Sequence, residues 1–160
     1  MKTICKLILS TVFITSCTTK TEYIPIEGKW IKGTQTEQLK TIENQFRGFD
    51  KTMVEVGYRY QELYWGGQDE NWEYANYQLE KIEKTIKLGL QRRPKRAQSA
   101  THFLEYVIPE VNKAIQAEDK QRFNTNIEMM RTNCTNCHIA ERVPTFTVRI
   151  PTHRQSPIGN

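Results

Sequence analysis

An all-α fold, an up-down four-helix bundle, is what this 160-residue sequence predicts, and three observations lead there. Apolar residues recur at steps of three and four through four successive stretches, short links separate those stretches, and no strand-type alternation lies between residues 36 and 142. The expected organisation is a signal peptide over residues 1–16, a tether and extended lead-in over 17–35, the helical body over 36–142 and a proline-containing surface tail over 143–160.

The first stretch stands outside the fold. Met1 and Lys2 precede an apolar run, residues 7–14, that is too short to span a bilayer and stops at Cys17. The tetrad Ile14-Thr15-Ser16-Cys17 resembles a bacterial lipobox, in which small residues precede the cysteine that receives diacylglycerol and becomes the mature N-terminus. Cys17 is therefore the expected lipid-attachment residue; a plain secretory signal cut nearby, with Cys17 an incidental thiol, is the alternative. Either reading sends the chain out of the cytoplasm, and the first leaves it anchored in the bacterial cell envelope facing the periplasm.

After Cys17 a polar tether, residues 18–22, leads into residues 23–33, which contain Pro25, Gly28 and Gly33 and lack helical periodicity. From Thr36 the pattern changes. Leu39, Ile42, Phe46, Phe49, Met53, Val56, Tyr60 and Leu63 form one apolar stripe, read as a single helix over 36–65 that Gly66-Gly67 ends. Trp72, Ala75, Leu79, Ile82, Ile86 and Leu90 mark a second helix over 69–91, stopped at Arg92-Arg93-Pro94. The short link makes these two antiparallel neighbours. A third helix, from Lys95 or Ser99 to Ala117, turns Leu104, Ile108, Val111 and Ile115 inward and should kink at Pro109. The fourth starts at Asp119, a capping carboxylate, and carries Phe123, Ile127, Met130, Cys134 and Cys137 along its apolar seam. Beyond Arg142 the prolines Pro144, Pro151 and Pro157 take the chain out of the helix.

Charge excludes one class of partner. Removal of residues 1–16 takes away Lys2 and Lys6, which leaves 21 basic against 18 acidic residues, a net charge of about +3. No long basic run accompanies it, so nucleic acid is not an expected partner. The most basic cluster, Arg92-Arg93-Pro94-Lys95-Arg96, reads as a solvated helix end. Nor is a nucleophile-base arrangement, a defined carboxylate pair or a glycine-rich phosphate loop visible, which argues against an enzyme.

The cysteines carry the chemistry. With Cys5 lost in the signal and Cys17 joined to lipid, only Cys134 and Cys137 remain in the folded body. They stand in Cys134-Thr135-Asn136-Cys137-His138, the C-x-x-C-H pattern at which c-type haem is attached. On a helix, thiols three residues apart share a face and can join the two vinyl groups by thioethers, while the following imidazole turns under the iron. The competing readings are a reducible disulfide, which belongs at the start of a helix in an α/β fold, and structural zinc, which needs four ligands where only His102 and His153 are left over.

On these residues the chain resembles the class II c-type cytochromes, the four-helix group that includes cytochrome c′ and its low-spin relatives, over residues 36–142. The resemblance implies one covalent haem c, with His138 as axial ligand and Arg142, four residues on, beside a haem propionate. It also implies a distal residue from the middle of the first helix, where Met53 and Gly57 are similar to the Met-x-x-x-Gly of low-spin members. Met53 as sixth ligand favours electron transfer, with Met53 as mere core packing the bland reading. Two functions follow: an electron carrier held near membrane-bound redox partners by its lipid, or a five-coordinate haem protein that binds a diatomic gas such as NO or CO. A haem enzyme lacks a distal acid-base group except His102. The redox partner is unidentified, and a homodimer is left open. The lead-in and the tail depart from the family pattern.

Overall fold

The computed structural model describes residues 28–155 and Pro157. The expected signal sequence, Cys17 and most of the lead-in lie outside the described residues. The described chain is all-α, without a strand: α1 (Gln35–Phe46), α2 (Phe49–Gln68), α3 (Trp72–Arg92), α4 (Ala97–His102), α5 (Ile108–Gln116) and α6 (Lys120–Ala140). No described helix is long and apolar enough to cross a membrane.

The chain divides into two compact units, Met1–Ile42 and Glu43–Asn160. The described part of the first is residues 28–42, which hold most of α1. Thr34 and Glu37 bond reciprocally at its start: the Thr34 amide donates to Glu37 Oε2 (2.7 Å) and the Glu37 amide donates to Thr34 Oγ1 (3.4 Å). This capping box satisfies two amides that a helix start leaves without partners.

The single helix expected over 36–65 is instead two, broken at Arg47 and Gly48. Arg47 takes a left-handed φ of 59°, Gly48 is extended, and the Gly48 amide donates to Asp50 Oδ1 (3.1 Å). The stripe is not buried throughout. Leu39, Ile42 and Phe46 are 55%, 37% and 58% exposed, whereas Val56, Tyr60 and Leu63 are buried. The glycines expected to end the helix lie inside α2 and are buried; the left-handed turn falls on Glu70. They stay helical because another chain segment needs their missing side chains: a Cβ on Gly67 would sit 2.0 Å from the Phe123 ring.

A link of residues 69–71 joins α2 to α3, which pack along each other. α3 starts at Trp72 rather than at residue 69 and is capped by Asn71, whose Oδ1 accepts from the Tyr74 amide (3.2 Å). The inner stripe is as the spacing predicts, with Ala75, Leu79, Ile82 and Ile86 buried.

The third expected helix is a composite. A 3-10 turn (Pro94–Arg96) opens α4, and a π turn over Phe103–Val107 joins α4 to α5. Pro109 has no amide to donate and its ring crowds the carbonyl four residues back, so the wider turn ahead of it relieves both demands. The extra residue also shifts the inner face: Phe103 and Val107 are buried beside Ile108, Val111 and Ile115, while Leu104 is pushed halfway out.

In α6, Asp119 caps as expected, its Oδ1 accepting from the Arg122 amide (2.9 Å). Phe123, Ile127 and Met130 are fully buried and join the core supplied by α2, α3 and α5. α6 packs on α5 and α2, and α5 on α3. Past Arg142, which ends the helix with a left-handed φ of 63°, the tail returns along the body with Val148 and Ile150 against the core.

Candidate functional site

At the end of the core formed by the start of α2, the start of α4 and the end of α6, the side chains stop short of filling the interior. A cavity of about 580 Å³ remains. Pockets of about 300–1,000 Å³ are the usual size for small-molecule and cofactor sites. One wall is α6, with Cys134, Cys137, His138 and Glu141; the facing wall is α2, with Phe49, Met53, Val56, Gly57 and Tyr60. Arg96, Ala100 and Phe103 contribute from the third side, and the tail adds Val143, Phe146 and Val148.

Each wall follows from local sequence. The helical repeat brings Cys134, Cys137 and His138 to one side of α6, one turn beyond Met130, so that they continue a buried seam into an unfilled space. On α2, Met53 and Gly57 are one turn apart. A Cβ built on Gly57 meets nothing within 4 Å, so the missing side chain leaves part of the cavity open rather than letting another element approach.

Both thiols are free and both are held in the protonated form. Apolar walls push the Cys134 thiol up to about 12, with the neighbouring Cys137 adding to the effect, although the cavity leaves the residue only half-buried. Burial also raises Cys137, against a lowering contribution from the Ser99 hydroxyl. A redox pair depends on a depressed thiol pKa, so this environment argues against the disulfide reading. Among the described residues no group of three or more His, Cys, Asp or Glu side chains is placed to hold a metal ion, so structural zinc has no donor set here.

Polar groups break the apolar lining, among them Asp50 at the start of α2. Tyr60 presents a buried hydroxyl without a hydrogen-bond partner among the described residues, and its burial, with Cys134 beside it, raises its pKa. Half-buried Arg96 pairs with Glu141, which also accepts from the Ser99 hydroxyl, and the guanidinium lies over the Phe49 ring at 5.6 Å. His138 is held by the tail: its Nδ1 is bonded to the Phe146 carbonyl oxygen.

Of the residues singled out from sequence, Cys134, Cys137, His138 and Met53 come together here. Arg142 does not line the cavity; it is exposed one residue past the α6 C-cap, between the lining residues Glu141 and Val143. The lining guanidinium is that of Arg96, which the sequence reading placed in a solvated cluster. Arg92 from the same cluster is also engaged, donating to Thr52 Oγ1 (2.9 Å). His102 is exposed and stacked on Tyr106 (5.2 Å, 17°), and exposed His153 lies in the tail; neither lines the cavity. At the α2–α3 turn, away from the cavity, Trp72 packs edge-on against Phe123 (5.8 Å), and Trp65 lies under Arg154 (5.1 Å). Tyr60 and Arg96 escaped the sequence reading because a stripe position and a basic run look alike whether or not a cavity adjoins them.

Comparison with known proteins finds no match among family models, curated proteins or solved structures.

Proposed function

We propose that this chain is an exported, lipid-anchored mono-haem c-type cytochrome that carries electrons, with a class II, cytochrome c′-like, up-down bundle made from α2, α3, the α4–α5 composite and α6. One observation carries the reading: the complete C-x-x-C-H attachment pattern borders an apolar cavity of cofactor size, and a methionine lies on the facing helix.

The residues present suit haem c. Haem iron takes four ligands from the porphyrin, so the protein need supply only one or two, which this cavity offers in His138 and Met53. Cys134 and Cys137 each offer a protonated thiol for addition across a vinyl group, sulfur bonding to one carbon and hydrogen going to the other. Gly57 leaves room for a flat ring, and the buried Tyr60 hydroxyl awaits an acceptor or a water. Arg96 in the wall, and exposed Arg142 between the lining residues Glu141 and Val143, would be the cationic partners for two propionates. With haem bound, the apolar residues of α2 and the tail would exclude water from the ring and so favour the less charged ferrous state.

When bound, the haem supplies a one-electron ferric–ferrous couple. Met53 opposite His138 would keep that couple six-coordinate, raise its potential and deny small ligands the iron. The lipid on Cys17 would hold the carrier at the periplasmic face of a membrane, where membrane-bound redox partners are met at high effective concentration.

Visible spectra of the ferric and ferrous protein, with and without carbon monoxide, test this. The proposal requires a low-spin, six-coordinate haem that carbon monoxide enters slowly. A high-spin haem that binds carbon monoxide at once makes Met53 a distal packing residue and favours gas binding; a chain without haem refutes both.

A further inference from the structure

We propose that the tail is a strap that positions His138, holding its imidazole as the Nδ1–H tautomer and leaving Nε2 as the coordinating nitrogen. The strap gives that residue a purpose-built neighbour and rests, for its effect on the iron, on the haem reading above.

The case begins with the backbone. His138 Nδ1 is bonded to the Phe146 carbonyl oxygen, and a carbonyl only accepts, so the proton is on Nδ1. The Phe146 ring stands edge-on to the imidazole (6.5 Å, 90°). Left-handed Arg142 makes the reversal that brings the tail back on α6, and the Val143 amide donates to the His138 carbonyl (2.9 Å).

Beyond Phe146 the strap is tied down at two further places. The Val148 amide donates to Thr135 Oγ1 (3.2 Å), a residue inside the attachment motif, and Arg131 Nη1 donates to the Val148 carbonyl (3.5 Å). Farther along, the Arg154 guanidinium binds both Asp69 oxygens at 2.7 Å and lies over Trp65. Both bonds come from the single nitrogen Nη2, and this charge-assisted contact anchors the far end of the strap. Between these ties Val148 and Ile150 pack on the core, so the Phe146 carbonyl is presented by a segment held on both sides.

A hydrogen bond on the outer nitrogen makes an imidazole a stronger electron donor and sets its ring plane. The strap should therefore favour ferric iron and lower the reduction potential, opposing the rise that a Met53 ligand brings. Removal of the ties should do the reverse without disturbing the coordinated atoms.

The test uses the full-length chain with 15N-labelled histidine. The His138 nitrogen shifts should report the Nδ1–H tautomer, and this readout applies whether or not haem is attached; the Nε2–H tautomer overturns the strap even if the cytochrome reading stands. In the double variant Thr135→Val, Arg154→Ala, exchange of the Nδ1 proton with solvent should accelerate by about fivefold or more, the factor a typical lost hydrogen bond represents. The potential should rise while the low-spin spectrum stays, and Thr135→Ser, which keeps the hydroxyl, should behave as wild type. Should the double variant fail to fold, Arg154→Ala alone gives the same readouts. Unchanged exchange and potential in a folded variant would refute the proposal.

Discussion

Two glycines on α2 should respond to the same substitution with opposite signs. At Gly67 an added methyl would lie 2.0 Å, 2.3 Å and 2.6 Å from Cε1, Cζ and Cδ1 of Phe123, a side chain with no exposed surface and Trp72 against its face. Overpacking of a filled core costs about 1–3 kcal/mol, and a contact this short against a ring that cannot retreat belongs at the upper end. Alanine returns up to about 1 kcal/mol through its better helix propensity, so Gly67→Ala should destabilise by about 2 kcal/mol. For a body of this size that lowers Tm by roughly 8 °C. At Gly57 the methyl meets nothing, so in haem-free chain Gly57→Ala should stabilise by up to about 1 kcal/mol. Urea and thermal unfolding of both variants, followed by circular dichroism, read the difference. A Gly67→Ala protein as stable as wild type would refute the close packing of α2 on α6. In haem-loaded chain Gly57→Ala should lose its advantage, because the open space is then the cofactor's; an unchanged gain would mean that Gly57 does not face the ring.

Three further outcomes are expected. Met53→Ala should convert a low-spin spectrum to high-spin and admit carbon monoxide quickly; since Met53 is only half-buried, the stability cost should be near the lower end of the 2–5 kcal/mol range, about 2 kcal/mol, and a folded variant that stays low-spin rules Met53 out as a ligand. Cys134→Ala with Cys137→Ala should let acid-acetone extract all haem from the polypeptide, and haem retained after that treatment would move the attachment elsewhere. Cys17→Ser should shift the protein from the detergent to the aqueous phase; no shift, together with a wild-type mass lacking acyl groups, discards the anchor.

The clustering of Cys134, Cys137 and His138 and the buried seams of α3 and α6 were legible because each depends on short-range spacing: three and four residues bring Phe123, Ile127, Met130 and the cysteines to one face wherever the helix lies. What spacing cannot convey is what stands opposite. Leu39, Ile42 and Phe46 keep the period of Val56 and Leu63, yet the turn at Arg47-Gly48 separates them, and only the Asp50 bond to Gly48 reveals it. Gly66-Gly67 read as a helix end, since conformational freedom and a need for close approach select the same residue. The π turn escaped for a related reason: Pro109 signals disruption, but the sequence does not say that the fold absorbs it with one extra residue and thereby exchanges Leu104 for Phe103. Arg96 and the Phe146 carbonyl reach the site through contacts 45 and 8 residues distant along the chain, respectively, and backbone acceptors carry no sequence mark at all.

Mass analysis of the peptide that contains Cys134 to His138 tests the central claim most directly. Digestion of the purified native chain, after treatment with a thiol-alkylating reagent, should yield this peptide carrying the mass of one haem and no alkyl group on either cysteine. A peptide with two alkylated cysteines, or with a disulfide between them and no haem, would contradict the cytochrome account.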